Sequence, residues 1–413
     1  MDLDSFRALL TPRGRLALQS AAAFEPREVD FLAHFTTLSR QFPADLARAA
    51  LETAILQIEA AAKFPFASQM YFTREAMEQA SAHEVSAYRS QRFRDFHFLA
   101  DLGCSIGADC LSLASMAPVV GIDLDSLRLA MARQNLKALG LGDRGRFLRA
   151  NLEDPLPLDP SSDLALFFDP ARRRAGRRVH SVRDYQPSLA IIREWLQYFP
   201  ALGVKISPGV RLEELASYTA EIEFISLNGD LKEAVLWFGP LASASRRATV
   251  LPGPHTLALP VTPGQQVKPG LPAQPSLPLS EPRAFLYEPD ASVLRAGLVE
   301  MLGAQLGATQ LDPDIAYLTA DHLTPTPFAR AWRVEDWFPF GMKRLRSALR
   351  QRGVGQVVVK KRGSPLQPEA LIRDLRLKGD QERVIFLTHL RGRPIVILST
   401  EEVEVHASAN SKS

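Results

Sequence analysis

The sequence predicts an α/β fold: a largely parallel sheet covered by helices on both faces, preceded by a helical region and followed by a small α+β domain. Two observations support this prediction. Short apolar runs alternate with helical stretches long enough for crossover connections, as in doubly wound sheets. The runs cover residues 97–102, 118–122, 146–149, 163–168, 202–206, 221–227 and 232–238. Between the last two runs, Asn228-Gly229 is typical of a tight hairpin, so five parallel strands are expected to precede one antiparallel pair.

The segment ahead of the sheet shows a helical pattern. Residues 1–95 are predicted to be helical, since apolar residues recur at helical spacing along 51–62. A second helix is predicted from Glu75 to Arg92, with Thr73 as its N-cap.

Downstream of the sheet domain, which is expected to occupy residues 96–250, the composition changes. Residues 251–284 hold nine prolines and predict a linker or an extended excursion. Residues 285–400 are predicted to form an α+β domain, and residues 401–413 a disordered tail. The α+β domain is expected to contain helices at 340–351 and 367–377 and strands at 355–361, 383–388 and 394–398.

Length and composition exclude several classes of protein. A chain of 413 residues, 46% of them hydrophobic, is expected to hold two or three domains. Its two cysteines, Cys104 and Cys110, cannot form a disulfide framework or a four-ligand zinc site, and the scattered histidines predict no metal site. No apolar run approaches the roughly 18–20 residues of a membrane helix, and the first residues lack a signal-peptide pattern. We therefore expect a cytoplasmic protein without a membrane segment.

Charge is distributed unevenly along the chain, although the formal net charge is only +3. Residues 341–399 carry 14 Lys and Arg against 4 Asp and Glu, whereas residues 1–340 carry a net charge of −5. This asymmetry indicates either a polyanionic partner near the C-terminus or a solvated basic face without a partner.

A glycine-rich turn follows the first predicted strand, in the segment Asp101-Leu102-Gly103-Cys104-Ser105-Ile106-Gly107. Gly103 permits a tight turn, and Gly107 permits close approach of a ligand to the backbone. Asp101, at the end of the strand, can accept hydrogen bonds from an ammonium group. Such a turn at the start of an apolar helix indicates a ligand-binding loop.

Polar residues also follow the second and third predicted strands. Asp123 ends the second strand, where an acidic side chain can hold the hydroxyls of a ribose. Its alternative role is to cap the next helix, which Asp125 or Ser126 could do instead. Asn151 follows the third strand, where its side chain could meet an adenine edge or form a simple turn.

The fourth predicted strand ends in Asp169-Pro170. Asp169 could accept a hydrogen bond from a target amine, and Pro170 would stiffen the loop. Ala171 and three arginines come next: Arg172, Arg173 and Arg174. These arginines could hold nucleic-acid phosphates, or they could form a solvated basic turn.

Together these residues resemble the class I S-adenosylmethionine (SAM) methyltransferases, whose motif order they follow from residue 96 to about residue 240. A finer resemblance is to bacterial methyltransferases with a C-terminal THUMP-like domain. It is carried by Met70-Tyr71-Phe72-Thr73, Asp169-Pro170-Ala171-Arg172-Arg173, Tyr287-Glu288-Pro289-Asp290-Ala291 and Val358-Val359-Lys360-Lys361-Arg362-Gly363. The resemblance implies a seven-stranded Rossmann-like sheet, SAM as the cofactor and RNA as the substrate class.

The resemblance also implies roles for individual residues. Asp169 and Pro170 would position a target nitrogen. The residues expected to hold the methionine end of SAM are Asp101, Gly103, Ser105 and Gly107. Those expected at the ribose and adenine are Asp123, Leu124, Asn151 and Leu152. Phe72 and Thr73 would line the pocket, as similar residues do in cap guanine-N2 methyltransferases.

Two departures from the family pattern leave other functions open. Ser105 stands where the family usually has glycine, and Ala171-Arg172 replaces the proline and the aromatic residue that usually follow Asp-Pro. Since that aromatic ring normally stacks on the target base, methylation of a base nitrogen would need an aromatic residue from elsewhere in the chain, for example Tyr185 or Phe72. The alternatives are an RNA-binding protein with a catalytically inactive methyltransferase fold, and a methyltransferase for a substrate other than RNA.

Clustered cations in the C-terminal domain predict contact with a nucleic-acid backbone. Arg346 and Arg350 share one face of a predicted helix that also carries Lys343. A predicted strand ends in Lys360, Lys361 and Arg362. Resemblance to a THUMP domain implies that this face grips RNA. Four aromatic residues nearby are expected to form part of the core: Trp332, Trp337, Phe338 and Phe340. The last three of these could instead offer a stacking surface for a base.

Overall fold

The computed structural model describes residues 1–171, 173–174, 177–178, 181–261 and 276–403. These residues form two compact units. The first consists mainly of Met1–Glu223 and Lys232–Ser245. The second contains Phe224–Leu231, Arg246–Pro260 and residues 276–403. The second unit therefore includes part of the segment that the sequence predicts to be a linker.

The first unit begins with helices, as predicted. Its helices are α1 Leu3–Leu9, α2 Pro12–Ala22, α3 Phe31–Leu38, α4 Ala44–Ala60, α5 Arg74–Gln79, α6 His83–Ser90, α7 Ala108–Met116, α8 Ser126–Ala138 and α9 Ile192–Trp195. Leu51 and Ile55 of α4 are buried in a core that α1, α2 and α3 also supply, whereas Ile58 is 48% exposed. The helical spacing along α4 thus identifies most of its buried face.

The prediction of a single helix from residue 75 to residue 92 is wrong. The chain leaves the helical path at Ala80, where ψ is 139°, and α5 and α6 are separate helices. The ammonium group of Lys63 donates hydrogen bonds to the carbonyl oxygens of Met77 (2.8 Å), Glu78 (2.9 Å) and Ala80 (3.1 Å). This distant side chain satisfies the last carbonyls of α5 and stabilises the break.

Two helices begin at caps that the sequence predicts. The hydroxyl of Thr73 accepts a hydrogen bond from the Ala76 amide at 3.2 Å and caps α5. A carboxylate oxygen of Asp125 accepts one from the Leu127 amide at 2.8 Å and caps α8. Because Asp125 supplies this cap, Asp123 is not needed for it.

A largely parallel sheet follows the helical region. Its strands in chain order are β1 Phe98–Leu102, β2 Val119–Asp123, β3 Gly145–Arg149, β4 Leu164–Phe168, β7 Leu202–Ile206, β8 Glu221–Leu227 and β9 Asp230–Trp237. Two short strands between β4 and β7 form a separate pair: β5 Arg173–Arg174 and β6 Arg177–Arg178. The order across the sheet is β8-β9-β7-β4-β1-β2-β3. Strands β1, β2, β3, β4 and β7 pair in parallel, whereas β9 is antiparallel to β7. Five parallel strands and an antiparallel pair are thus confirmed.

The turn between β8 and β9 adopts the backbone that its sequence predicts. Asn228 and Gly229 have φ of 53° and 80°, as a two-residue hairpin turn of the I′ type requires. Beyond β8, the order of the sheet continues with β10 Arg246–Leu251 and β11 His255–Leu259, which gives nine strands. The seven predicted strands are all present, and the sequence analysis missed the last two because prolines surround them.

The second unit contains a seven-stranded sheet. Its remaining elements are β12 Phe285–Pro289, α10 Ala291–Ala296, α11 Val299–Leu306, β13 Thr309–Asp312, β14 Ile315–Ala320, β15 Ala329–Pro339, α12 Met342–Gln351, β16 Val354–Lys361, α13 Pro368–Leu375, β17 Gln381–Leu390 and β18 Arg393–Val403. The order is β13-β14-β12-β15-β18-β17-β16, in which β16 pairs with β17 in parallel. The predicted α+β character is confirmed. Strand β18 reaches Val403, so the first three residues of the predicted tail belong to a strand.

The core of the second unit contains the aromatic residues that the sequence assigns to it. Trp332 and Phe338 are 1% and 2% exposed, and Trp337 and Phe340 pack against the same clusters while partly buried. The ring centroids of Trp332 and Phe386 lie 5.0 Å apart in an edge-on contact. These rings are therefore packed within the sheet and stabilise it.

Candidate active site

A cavity of about 410 Å³ lies at the carboxyl ends of β1, β2, β3 and β4. This is the edge at which doubly wound sheets bind ligands. Eight of the predicted site residues line it: Gly103, Ser105, Asp123, Leu124, Asn151, Leu152, Asp169 and Pro170. Four others do not line it: Asp101, Gly107, Phe72 and Thr73.

The glycine-rich turn has the left-handed backbone that its sequence predicts. Gly103, Ser105 and Gly107 have φ of 77°, 49° and 77°. A Cβ atom added to Gly103 would lie 3.2 Å from the carbonyl oxygen of Asp169, so the turn and the end of β4 approach each other closely. Ser105 occupies a conformation that favours glycine, which explains the usual family residue there.

Gly107 lies against the next helix. An added Cβ atom would lie 2.9 Å from the Cβ atom of Ala132 on α8. Gly107 therefore permits close packing of α7 on α8. It is not among the residues that line the cavity, and its predicted role toward a ligand stays a prediction.

Asp123 is oriented by backbone amides at the end of β2. One carboxylate oxygen accepts a hydrogen bond from Ser105 N and the other accepts one from Asp125 N, both at 2.9 Å. The side chain is half-buried and lines the cavity. These hydrogen bonds fix the carboxylate relative to the turn, which suits it to hold a ligand.

Asp101 is enclosed behind the turn. It is 1% exposed, and one of its carboxylate oxygens accepts a hydrogen bond from Cys110 Sγ at 3.1 Å. Burial, with a smaller contribution from the charge of Asp109, raises the pKa of Asp101 to about 8. The predicted contact between Asp101 and an ammonium group stays a prediction, since this side chain is not among the residues that line the cavity.

A buried charge cluster lies beside Asp101. The guanidinium of Arg89, on α6, contacts Asp109 of α7 and Glu233 of β9, and Ser81 Oγ donates a hydrogen bond to Glu233 at 2.8 Å. Burial by itself would lower the pKa of Arg89, but the two carboxylates outweigh burial and raise it. The sequence analysis did not identify Arg89, since its partners lie 20 and 144 residues away.

Asp169, predicted to contact a target amine, forms an ion pair. Lys205 of β7 places Nζ 2.6 Å from Asp169 Oδ2, and its side chain is 3% exposed. Parallel pairing of β4 with β7 aligns Phe168 with Val204. The residues that follow these two, Asp169 and Lys205, can therefore meet at the edge of the sheet. This pairing orients the carboxylate of Asp169 at the cavity wall.

Neither aromatic candidate for stacking on a base lies at the cavity. Phe72 is buried and packs against Phe64, with ring centroids 5.7 Å apart. Tyr185 is also buried, and its hydroxyl accepts a hydrogen bond from the Ser207 amide at 2.8 Å. Among the described lining residues no aromatic side chain occurs, so neither Phe72 nor Tyr185 lies where it could replace the missing ring in this cavity.

The segment after Asp169 also contributes to the cavity wall. The backbones of Ala171 and Gln186 exchange two hydrogen bonds of 3.1 Å, which places Gln186 and Pro187 at the cavity. Of the predicted arginine cluster, Arg172 lies outside the described residues. Arg173 and Arg174 lie in β5, and their side chains are not described.

Asn135 connects the turn to the N-terminal segment. Its buried side chain accepts a hydrogen bond from Tyr71 N (2.7 Å) and donates to the carbonyl oxygens of Tyr71 (3.1 Å) and Ile106 (2.9 Å). This clamp holds the Met70–Thr73 motif beside the turn. Phe72 and Thr73 therefore lie near the cavity as packing and capping residues.

Replacing Asn135 with alanine is expected to lower the free energy of unfolding by about 2 kcal/mol, because a buried amide and two carbonyl groups lose their partner. Urea titration measures this change. As a control, Asn151→Ala removes one hydrogen bond, from Glu153 N at 3.1 Å, and is expected to cost less than about 1 kcal/mol. Equal destabilisation by the two substitutions would contradict the clamp.

Comparisons with known proteins identify close relatives. Two S-adenosylmethionine-dependent methyltransferases of Mycobacterium tuberculosis, from strains CDC 1551 / Oshkosh and ATCC 25618 / H37Rv and both described as uncharacterized, are 35% identical to the chain over 352 residues. The match covers 82% of this chain and 92% of each relative. The chain belongs to the family of S-adenosylmethionine-dependent methyltransferases.

Further similarities support the fold of this methyltransferase. A crystal structure from Porphyromonas gingivalis W83, described as a methyltransferase, is 22% identical and has a TM-score of 0.72. The match covers 91% of this chain and 99% of the chain from P. gingivalis. Residues 329–401 match the THUMP domain-like family, and residues 2–56 match a domain of unknown function (DUF8688). The predicted methyltransferase sheet and THUMP-like domain are thus confirmed.

The cofactor of this methyltransferase is SAM, and the cavity suits it. A volume of about 410 Å³ lies within the usual range of small-ligand sites, roughly 300–1,000 Å³. The wall supplies a carboxylate (Asp123) and an amide (Asn151), which are the groups that a ribose and an adenine require for hydrogen bonding. The close approach of Gly103 to the backbone of Asp169 brings the glycine-rich turn and the end of β4 together in the cavity wall.

The predicted RNA-binding residues of this methyltransferase fall into two sets. Some bind other parts of the second unit: Lys360 Nζ lies 2.6 Å from Glu288, Arg362 3.7 Å from Glu288, Arg346 donates to Asp374 O at 2.7 Å, and Lys361 donates to Leu366 O at 3.0 Å. The side chains of Lys343 and Arg350 on α12 are exposed, and Lys361 belongs to both sets because it remains exposed while it donates to Leu366. Only part of the predicted face is therefore open to an anion.

Two other features are absent from the described part of this methyltransferase. No group of three or more His, Cys, Asp or Glu side chains there could hold a metal ion. No helix within the same ranges is both long and apolar enough to span a bilayer. The prediction that no metal is bound stays a prediction.

Proposed function

We propose that this methyltransferase transfers the methyl group of SAM to a nitrogen atom of RNA, with the THUMP-like domain binding the RNA backbone. One observation carries the acceptor part: the carboxylate of Asp169 lines the cavity in an ion pair with Lys205. A carboxylate in this place can accept a hydrogen bond from an N–H group. The match to the THUMP domain-like family supports RNA as the molecule that carries this group.

The residues of the cavity would divide the binding of SAM among themselves. The turn that contains Gly103 and Ser105 would meet the methionine end. Asp123 would hold the ribose hydroxyls, because its carboxylate is already oriented by two backbone amides. Leu124, 57% exposed, would cover the same part of the ligand. Asn151 and Leu152 would face the adenine.

The protein's contribution to transfer would be alignment and exclusion of water. SAM supplies a methyl group on a sulfonium centre, which is already electrophilic. Asp169 would accept the hydrogen bond of the acceptor nitrogen, and Pro170 would restrict the backbone that carries it. Since no aromatic side chain lines the described cavity wall, hydrogen bonds from side chains such as Gln186 would orient the acceptor in place of stacking.

Exposed cations of the second unit would bind the phosphates. Lys343, Arg350 and Lys361 are exposed and carry no stacking platform with them, which suits contact with the backbone and weak reading of sequence. Arg373, Arg376 and Lys378 add three exposed cations on and after α13. Binding of this kind would weaken as salt concentration rises.

Methyl transfer from labelled SAM to total bacterial RNA tests the proposal. Label in a discrete RNA species, lost in the Asp169→Ala variant, would support it. Binding of SAM without label in RNA, but with label in protein or small molecules, would favour a non-RNA acceptor. Retained RNA binding by a folded protein that binds neither SAM nor S-adenosylhomocysteine (SAH) would indicate a catalytically inactive fold.

Replacing Asp123 with alanine is expected to weaken SAM binding by about 10- to 100-fold, because hydrogen bonds between a carboxylate and two hydroxyls are lost. Calorimetric titration measures the affinity. The control is Asp125→Asn, which removes a neighbouring charge while keeping a good helix cap. An unchanged affinity in the alanine variant would exclude Asp123 from ribose binding.

A further inference from the structure

A second cavity, of about 550 Å³, lies within the second unit. Its wall comes from the β13–β14 turn, the end of β16 and the tip of the β17–β18 hairpin. The volume is within the usual range of small-ligand sites, roughly 300–1,000 Å³. None of the residues that line it also lines the cavity of the candidate active site, so it can hold a different group.

Two carboxylates line the second cavity. Asp312 is 4% exposed, and its two oxygens accept hydrogen bonds from the backbone amides of Asp314 (3.1 Å) and Gly392 (2.7 Å). These bonds tie the tip of the hairpin to the β13–β14 turn. The side chain of Asp314 is exposed and also lines the cavity. The second cavity thus offers hydrogen-bond acceptors on a turn that is held in place.

Arg362 supplies hydrogen-bond donors to the second cavity. Its guanidinium carbon lies 5.2 Å from the centre of the Tyr317 ring, and one of its nitrogens lies 3.7 Å from a carboxylate oxygen of Glu288. Lys360 Nζ is closer to that carboxylate, at 2.6 Å. Because two cations share one carboxylate, positive charge remains at Arg362, whose planar guanidinium can donate several hydrogen bonds in a fixed geometry.

Apolar groups complete the wall of the second cavity. Leu294 and Ile315 line it together with Gly363 and His389. A Cβ atom added to Gly363 would lie 2.9 Å from Ile315 Cδ1 and 2.8 Å from His389 Nδ1, so its backbone packs directly against both side chains. A cavity with apolar side chains, fixed acceptors and a planar donor suits a flat heterocycle that has both donors and acceptors at its edge.

Exposed cations flank the lining residues along the chain. Arg391 and Arg393 stand on either side of Gly392, and Lys361 precedes Arg362. A polyanion would be attracted to these three side chains, whereas the carboxylates of the second cavity would repel a phosphate group placed inside it. The charges therefore favour a nucleotide whose phosphates stay outside while its uncharged base enters.

We infer that the second cavity holds one unpaired RNA base that carries an exocyclic amino group, as cytosine does and uracil does not. The amino group would donate to Asp314, and Arg362 would donate to a carbonyl oxygen or ring nitrogen of the base. The base must be unpaired, because only a splayed-out base exposes this edge to a protein cavity. The inference rests on RNA as the molecule bound by the THUMP-like domain in the proposed function, and it is independent of SAM.

Binding of two short RNAs to the full chain tests the inference without methyl transfer. Octamers of cytidine and of uridine have the same backbone charge, but uracil would place a carbonyl oxygen against Asp314 and an N–H group against Arg362. Fluorescence anisotropy of labelled octamers, at one salt concentration, should show about 10-fold tighter binding of the cytidine octamer.

Substitutions in the second cavity should remove this preference. Asp314→Asn, which replaces one acceptor with a donor, should bring the two affinities within about twofold. Arg362→Met should weaken binding of the cytidine octamer by about 10-fold and that of the uridine octamer by no more than about threefold, and the second value also shows that the protein is folded.

Two variants outside the cavity provide the controls. Arg393→Met removes an exposed cation and should weaken both octamers equally, with a smaller dependence on salt. Glu369→Gln removes an exposed carboxylate of α13 and should leave the ratio of the two affinities unchanged.

Three outcomes would overturn the inference. Equal binding of the two octamers by the unsubstituted protein, or a preference that survives both cavity substitutions, would exclude base recognition here and leave RNA binding in the proposed function intact. Cytidine monophosphate that binds as tightly as the cytidine octamer would assign the cavity to a free nucleotide. Failure to bind either octamer would overturn RNA binding in the proposed function as well.

Discussion

Replacing Arg89 with leucine is expected to lower the free energy of unfolding by about 3–5 kcal/mol. The substitution leaves Asp109 and Glu233 buried without the cation that both contact. Restoring their charge balance would require protonation or exposure to water, and each costs free energy. Urea titration at pH 7, with the m-value as a check on two-state behaviour, measures the loss.

The pH dependence distinguishes lost charge pairing from lost packing. Burial alone would raise the pKa of Glu233, but Arg89 and Lys205 outweigh it and lower the pKa below its ordinary value. A depressed carboxylate pKa stabilises the native state above the unfolded pKa, and this contribution disappears as the pH falls. Without Arg89 the pKa rises above the unfolded value, so stability instead falls as the pH increases. The difference between the two proteins should therefore be larger at pH 7 than at pH 4.

An exposed arginine provides the control for this substitution. Arg74 is half exposed and forms ion pairs with Glu28 and Glu59. Arg74→Leu should cost no more than about 1 kcal/mol, since exposed ion pairs contribute little. A loss in Arg89→Leu that is equally small, or that does not change between pH 4 and pH 7, would contradict a structural role for the buried cluster.

Replacing Lys205 with methionine is expected to lower the rate of methyl transfer by about 100-fold while SAH affinity stays within a few fold. Lys205 Nζ holds Asp169 Oδ2 at 2.6 Å, and methionine retains the length of the side chain without its charge. Asp169 would then turn away from the position that the acceptor needs, and misplacement by about 1 Å can cost about 100-fold in rate. Single-turnover transfer at saturating SAM measures the effect.

Conservative and distant substitutions complete this test. Lys205→Arg keeps the charge and should restore part of the rate. Lys232→Met removes an exposed cation of β9 and should leave the rate unchanged. A parallel loss of SAH binding in Lys205→Met would show that Lys205 supports the cavity as a whole, and an unchanged rate would show that the ion pair does not position Asp169.

Local patterns in the sequence determined the succession of strands, the hairpin at Asn228-Gly229 and the caps at Thr73 and Asp125. Each depends on residues close together in the chain: apolar runs of strand length, a turn that requires positive φ, and a side chain that reaches an amide two or three residues ahead. The approach of Gly103, Asp123 and Asp169 to one cavity also followed from the rule that parallel strands end at one edge.

Only the tertiary structure decided which polar residues face the cavity and what they contact. Asp101 and Asp109 are eight residues apart in the same segment, yet one is enclosed and the other lines the cavity. Lys205 reaches Asp169 across 36 residues, and Asn135 reaches Tyr71 across 64. Such contacts depend on how whole elements pack, and burial then changes the charge state of a group, so neither periodicity nor motif spacing predicts them.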